Sequence, residues 1–258
     1  RMSLREQYIA LMTLLRKEIR RFLRIWPQTL LPSAITMSLY FVIFGSLIGS
    51  RIGDMGGFRY MEFVVPGLIM MAIVTNSYSN VVSSFFGSKF NHSVEELLVS
   101  PTPNYVILLG FLLGGIARGL LVALIVTAVS LFFTRLPIYN IGIVALVVLF
   151  TSTLFALAGF INGVFANNFD DISIIPTFVL TPLTYLGGVF YSLDLLPEFW
   201  AGVSKLNPLV YVVNAFRYGV LGVSDVNVAF AFAMIAGFTV LLFFYAMHLL
   251  SSGKRLRQ

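Results

Sequence analysis

Six long stretches of this chain carry almost no charge, and that feature dictates the solvent it folds in. Asp, Glu, Lys and Arg are absent from Pro27 to Ser50, Phe63 to Ser88, Leu136 to Phe169, Ile172 to Leu193 and Val226 to Gly253. The stretch Leu97 to Thr134 is interrupted only by Arg118. A helix needs about 20 apolar residues to cross the hydrocarbon of a bilayer, and each run is long enough. Composition agrees. Charged residues make up 11% of the chain, against about 25% in a soluble domain, too few to coat a globule in water. The runs are continuously apolar rather than alternating, which excludes a transmembrane β-barrel. The expected fold is an all-α integral membrane protein, a single domain over 1–258, with six spans near 29–49, 61–83, 105–131, 141–165, 172–191 and 228–250.

Charge placement sets the expected orientation. Arg1, Arg5, Arg16, Lys17, Arg20, Arg21 and Arg24 precede the first run, Lys89 lies in the loop 84–104, and Lys254, Arg255 and Arg257 end the chain. The opposite loops hold Arg51, Arg59, Arg135, Lys205 and Arg217. Cytoplasmic loops carry the excess of Lys and Arg, so both termini are expected in the cytoplasm, as an even number of spans requires. The net charge of +6 therefore reads as membrane topology rather than nucleic-acid binding. The N-terminal region is amphipathic, with no clean apolar core of a cleavable signal peptide.

Within 1–26, Leu4, Tyr8, Leu11, Leu15, Ile19, Phe22 and Trp26 recur at steps of three and four. At helical period they fall within about 40° of one direction, with Arg16, Lys17, Arg20, Arg21 and Arg24 on the other side. This predicts an interfacial helix, either a plain anchor or a lever against a cytoplasmic partner. Pro27 then turns the chain into the six-span bundle of 27–253, which a basic tail over 254–258 follows.

The loop 84–104 predicts a short helix. Ser93 is the expected cap, Ser93-Val94-Glu95-Glu96 fits a capping box, and the two carboxylates suit the first turn. Leu97, Leu98 and Val99 add an apolar patch, and Pro101 and Pro103 end the helix. An ordinary capped turn and a docking knob both fit. The segment 192–227 is too apolar for an aqueous loop; it predicts short external re-entrant helices around Leu196, Phe199, Trp200, Leu206, Val210, Val213 and Phe216, broken at Asn207-Pro208. Pro176, Pro182, Gly187 and Gly188 predict a kinked or broken fifth span. Gly110, Gly114, Gly115 and Gly119 permit close helix approach in the third.

Arg118 lies near mid-membrane, at an insertion cost on the order of 2.5–3.5 kcal/mol. It is read either as a pathway residue or as a structural anchor, with Glu62, Asp170 and Asp171 as the carboxylates to consider. No cysteine is present, and His92 and His248 lie too far apart in sequence to suggest a metal cluster. No G-x-x-x-x-G-K-[ST] occurs, so the chain has no P-loop for ATP hydrolysis. No hydrolase or zinc-protease motif occurs either.

The segments 60–68, 95–101, 182–191 with 196–197, and 206–211 with 216–218 together resemble the ABC-2 type permease family. Tyr60-Met61-Glu62-Phe63-Val64-Val65-Pro66-Gly67-Leu68 is similar to the start of the second span in that family. Glu95-Glu96-Leu97-Leu98-Val99-Ser100-Pro101 resembles its cytoplasmic coupling segment. Pro182-Leu183-Thr184-Tyr185-Leu186-Gly187-Gly188-Val189-Phe190-Tyr191, followed by Leu196-Pro197, resembles its fifth span and exit. Leu206-Asn207-Pro208-Leu209-Val210-Tyr211 with Phe216-Arg217-Tyr218 resembles its external signature, with Val210 where many members have Thr. Order and spacing match over nearly the whole chain.

The resemblance implies an exporter permease in a bacterial inner membrane. It would pair with a second permease copy and two separate ATP-binding-cassette subunits, which hold the ATP and Mg; this chain itself would bind no cofactor. Ser93, Val94, Glu95, Glu96, Leu97 and Leu98 would couple to the ATPase. Asn207, Pro208, Leu209 and Arg217 match the external signature without a catalytic role. A channel or an ATP-independent secondary transporter is the alternative, and would favour intramembrane carboxylates, of which the runs have almost none.

Overall fold

The computed structural model describes residues 1–253 and Leu256. Apart from Leu256, the basic tail expected over 254–258 lies outside the described residues. Leaving aside a single 3-10 turn at Leu193–Leu195, the described residues form ten helical elements. In chain order they are α1 (Leu4–Arg24), α2 (Trp26–Ile52), α3 (Tyr60–Phe90), α4 (Ser93–Val99), α5 (Asn104–Ser130), α6 (Ile141–Phe165), α7 (171–185), α8 (Glu198–Ser204), α9 (Pro208–Leu221) and α10 (Val228–Ser252). Among the described residues α2, α3, α5, α6 and α10 are long and apolar enough to cross a membrane.

The fifth apolar run behaves differently from the expected span 172–191. Helix α7 is α-helical over Asp171–Ile175, widens to a π-helix over Pro176–Leu180 and returns to α over Thr181–Tyr185. Its 15 residues reach only about 22 Å, short of the roughly 30 Å hydrocarbon core. The cause is local. Pro176 and Pro182 each remove a backbone donor, and Gly188 takes a left-handed φ of 75° that lets the chain turn back. Helix α2 carries a similar widened stretch over Phe41–Ile48. The Tyr40 and Tyr185 hydroxyls meet at 2.7 Å and tie α2 to α7.

Helices α3, α5 and α6 form the centre, and glycines let them touch. A methyl at Gly159 of α6 would fall 2.5 Å from the Tyr78 carbonyl oxygen of α3, and one at Gly119 of α5 would fall 2.3 Å from the Ser77 hydroxyl. Gly110 and Gly114, on another side of α5, receive Leu14 and Glu18 of α1. The four glycines of the third span thus serve three neighbours, Gly110 and Gly114 facing α1 and Gly115 and Gly119 facing both α3 and α6.

Helices α3 and α6 end together. The Lys89 ammonium, buried at the end of α3, donates to the Val164 and Ala166 carbonyls at the end of α6. Helix α10 finishes beside them, with Tyr245 stacked on Phe165 at 6.5 Å between centroids. Helices α6 and α10 therefore run in the same direction, and the chain between them returns across the bundle once, through α7 and the segment leading to α10. Helix α4 caps this end. At the opposite end, a tight hairpin pairs Asp54–Met55 with Phe58–Arg59. Its turn residues Gly56 and Gly57 have φ of 62° and 84°, values that a two-residue hairpin turn of this type demands.

Helix α1 runs over Leu4–Arg24 within the expected 1–26, and a capping box of Ser3 and Glu6 starts it. Its buried side is rotated from the one the apolar spacing defines. Glu18 and Phe22 are buried and Arg21 is partly buried, while Leu4 and Tyr8 stand exposed. The glycine groove of α5 accounts for this, because Gly110 and Gly114 receive Leu14 and Glu18, which lie to one side of the apolar stripe.

Candidate functional site

Three groups of residues carry the site, one at each end of the bundle and one within it. At the α4 end, the break between α3 and α4 is a left-handed turn at His92, with φ 60°. That turn places Ser93 inside the helix, so His92 and not Ser93 is the N-cap residue, and the expected capping box does not form. The Ser93 hydroxyl instead donates to the Ser88 carbonyl at 3.2 Å. His92 Nδ1 lies 3.3 Å from Glu95 Oε1.

One side of α4 is an anchor. Val94 is fully buried among Phe85, Ile107, Phe111, Phe160 and Val164, and Leu97 and Leu98 pack partly against the same cluster. Phe85 sits 4.3 Å from Phe160 and 5.2 Å from Phe111 between ring centroids. The other side is free in the single chain. Glu96 is exposed, Glu95 half-exposed, and Val99 and Phe90 are 78% and 58% exposed. An acidic and apolar face is thus presented on a helix whose inner face is fixed to α3, α5 and α6. The structure divides the six predicted residues into inner Val94, Leu97 and Leu98 and outer Glu95 and Glu96, with Ser93 at the junction. Val99 and Phe90 complete the outer face.

The second group lies along α1, α3 and α5. Arg118 is 9% exposed and donates from Nη2 to the Thr29 carbonyl at 3.2 Å. That carbonyl lies where the first turn of α2 breaks at Leu30. Among the described residues Arg118 has no carboxylate within 4 Å, and Glu62, Asp170 and Asp171 are not its partners. The carboxylate nearest along its helix face is one that sequence spacing did not single out. Glu18 of α1 rests against Gly114, one helical turn from Arg118.

Glu18 accepts from the Ser84 hydroxyl at 2.7 Å and lies 3.8 Å from Arg21 Nε. Arg21 Nη2 donates to both the Asn80 carbonyl and Asn80 Oδ1 at 3.0 Å. Burial pushes the Glu18 carboxyl above its ordinary pKa, with Ser84 and Arg21 opposing it, and burial pulls the Arg21 guanidinium down. The sequence held one signal for this cluster. Glu18 falls about 60° from the centre of the apolar stripe of α1, a position where an acid next to five basic residues stands out.

The third group closes the opposite end. Helix α9 is buried over nearly its whole length against α3, α6 and α10. Asn207 caps it, accepting from the Leu209 amide at 3.0 Å while its own amide donates to the Leu183 carbonyl at 2.8 Å. Pro208 fills the first position, where a missing donor costs nothing. Arg217 is 1% exposed. Its Nε donates to the Phe63 carbonyl at 3.2 Å, and its Nη2 to Gly188 and Val189 at 2.9 and 3.2 Å. The guanidinium lies 3.8 Å above the Phe63 ring centroid. Asn207, Leu209 and Arg217 therefore fasten α9 to the turn after α7 and to the start of α3. In front of them, α8 exposes Phe199 and Trp200. Among the described residues no group of His, Asp and Glu has the arrangement of a metal site.

Comparison with known proteins places this architecture. A family model described as ABC-2 type transporter matches residues 9–221. The inner membrane transport permease YadH of Escherichia coli strain K12 is 58% identical over 250 residues, covering 97% of this chain and 98% of that protein. Nodulation protein J of Sinorhizobium fredii is 25% identical over 218 residues, 83% of this chain and 81% of that one. Nodulation protein J of Neorhizobium galegae is 22% identical over 243 residues, covering 91% and 90%.

Proposed function

The chain belongs to the ABC-2 type transporter family, and from that premise we propose that it is the membrane permease subunit of an ATP-driven exporter. It resides in a bacterial inner membrane with both termini in the cytoplasm. The α4 end is the cytoplasmic end, α7 with the turn after it completes a sixth crossing, and α8 and α9 form the external cover. Helix α1 lies at the cytoplasmic interface, a placement its basic residues support.

The observation that carries the reading is the outward face of α4. Its anchor residues lock it to the three central helices, so a push on Glu95, Glu96 and Val99 is delivered to α3, α5 and α6 together. Two separate ATP-binding subunits hold the ATP and Mg, since this chain has no P-loop of its own. A second permease copy covers the apolar faces that one chain leaves open, such as Phe178 at 74% exposed and Leu39 at 58%.

In this mechanism ATP closes the partner subunits, and their movement is transmitted through α4 of each permease. Helix α1 receives the same movement where it packs on α5. Glu18 and Arg21 tie α1 to Ser84 and Asn80 of α3 while Glu18 rests on Gly114 of α5, so α1 moves with both helices, and Arg118 holds the elbow at Thr29. Arg118 is thus an anchor rather than a substrate ligand.

The test is co-expression with the companion ATP-binding subunit. Glu95→Lys with Glu96→Lys should lower the co-purified ATPase at least about fivefold, the effect of roughly 1 kcal/mol, with membrane insertion unchanged. Undiminished ATPase would overturn the coupling role. Transport by the pure chain without a companion would overturn the exporter reading itself.

A further inference from the structure

The last turns of α1 carry arginines without a counter-charge. Arg16, Arg20 and Arg24 are exposed, and among the described residues none has a carboxylate within 4 Å. Glu18 is the one acid between Glu6 and Asp54, and it is buried against Ser84 and Arg21. Beside the arginines, the elbow between α1 and α2 forms a groove of about 260 Å³. Its walls are Leu23 and Trp26 at the elbow, Leu30, Leu31 and Ala34 of α2, and Ile125 of α5. Leu23 and Trp26 are 43% and 53% exposed, so the groove is open to the surroundings of the chain. The walls are held in place. The Thr29 hydroxyl donates to the Phe22 carbonyl at 2.7 Å, and Arg118 reaches the Thr29 carbonyl from α5.

Charge gives way to apolar surface at this elbow. Arg24 is the last charged residue before Arg51, and Trp26 is of a type enriched at the membrane–water boundary. Arg20 stands one turn before both Leu23 and Arg24, within about 6 Å. Cations therefore border the groove on its polar side, and uncharged helix continues on the other. The occupant that fits carries negative charge and an apolar chain in that order. An acidic protein surface supplies the charge but no chain for the groove. A zwitterionic lipid brings an ammonium that the arginines repel. An anionic phospholipid supplies both parts.

We propose that the α1–α2 elbow binds an anionic glycerophospholipid of the cytoplasmic leaflet. Arg20 and Arg24 hold its phosphate, with Arg16 one turn further back, and one acyl chain lies in the groove against Trp26, Ala34 and Ile125. The assignment rests on the reading of α1 as a helix at the cytoplasmic interface, and the site is separate from the α4 face.

The permease is purified with its companion subunit and titrated with dioleoyl phosphatidylglycerol or dioleoyl phosphatidylcholine, which differ only in the headgroup. Retained lipid is counted by native mass spectrometry. The wild-type complex should hold the anionic lipid about thirtyfold more tightly, the factor that two cations near a membrane surface supply. Arg20→Gln with Arg24→Gln should remove most of that preference. Arg1→Gln with Arg5→Gln, the same loss of charge at the far end of α1, should leave it. Ala34→Phe, which fills the groove, should lose the bound lipid with the arginines intact. Equal retention of the two lipids by the wild-type complex would overturn the proposal, as would full retention by Ala34→Phe. So would a preference that survives in the Arg20 and Arg24 variant or falls equally in the Arg1 and Arg5 variant. Loss of the ATPase subunit from the Arg20 and Arg24 variant, with its lipid preference unchanged, would give this face to the partner instead. The placement of α1 is read separately. Arg5→Cys should react with an impermeant maleimide only after the membrane is opened, and labelling in intact spheroplasts would strike the interfacial reading itself.

Discussion

Arg217 offers the most direct test of how the membrane portion is held together. One guanidinium serves three backbone carbonyls, Phe63, Gly188 and Val189, and covers the face of Phe63. A hydrogen bond to a charged group contributes about 1.5–3 kcal/mol, and a desolvated cation–π contact about 2 kcal/mol. The gross figure overstates the net, since burying a guanidinium itself costs several kcal/mol. Arg217→Met keeps much of the stem and removes that cost, but it takes the guanidinium away from the Phe63, Gly188 and Val189 carbonyls where water does not reach. The expected net loss is about 3–5 kcal/mol. Arg217→Lys keeps the charge but as a single point, and should lose about half as much. Because the chain has no cysteine, Val189→Cys gives a clean probe of the turn that Arg217 holds. Val189 is fully buried, and its labelling by a maleimide reports opening of that turn. Adding Arg217→Met should speed labelling at least about a hundredfold, as 3 kcal/mol requires. The control Arg135→Met, at an exposed position, should leave the rate unchanged. Equal rates in the Arg217 and Arg135 variants would refute the clamp.

Two further perturbations act at other points. Burial raises the Glu18 carboxyl in the folded chain above its ordinary value of 4.5, so the folded state holds the proton more tightly than the unfolded one. Stability from this group is complete below that value and is lost as pH rises through the raised folded pKa. Glu18→Gln should therefore gain thermal stability relative to wild type as pH rises above 4.5, and a gap that widens toward acid would reject the assignment. Lys89→Met removes the donor from the last carbonyls of α6 and should destabilise by about 2–4 kcal/mol; hydrogen exchange should quicken first in the last turn of α6, and unchanged protection there would count against the cap.

How much of this was legible in the sequence depended on the physics behind each feature. The long spans were readable because lipid imposes one requirement on every residue of a run, and uncharged length records it directly. The short helix at 93–99 was readable from its turn chemistry, yet its cap was not. The left-handed turn at His92 has no signature in an Asn-His-Ser sequence, and Ser93 looks like a cap wherever the preceding helix stops. The fifth run was legible in part, since its prolines and glycines predict the break but not where the helix stops. Composition registers that 172–191 prefers lipid, whereas Pro176, Pro182 and Gly188 decide that helix persists only to Tyr185. The rotation of α1 was illegible for a different reason. The stripe Leu4–Tyr8–Leu11–Leu15 shows which side is greasy, but the groove that selects Glu18 belongs to Gly110 and Gly114, almost a hundred residues away.

The buried cations follow one rule that spacing alone does not express. Lys89, Arg118 and Arg217 are each buried, and among the described residues neither arginine has a carboxylate within salt-bridge distance. All three bind carbonyls where a helix ends, breaks or turns. Lys89 takes the end of α6, Arg118 takes the break at Leu30, and Arg217 takes the turn after α7 together with Phe63 in the first turn of α3. The C-terminal ends of helices leave carbonyls without donors and carry partial negative charge. In water these faults are solvated; in hydrocarbon they must be met by the protein. A long cationic side chain from a neighbouring helix meets both needs at once. It binds the orphaned oxygens and finds in them the compensation its own charge requires. This accounts for how a chain with so few acids keeps three cations inside, and why its irregular segments, the elbow of α2 and the turn after α7, hold their shape within a bundle of otherwise apolar helices.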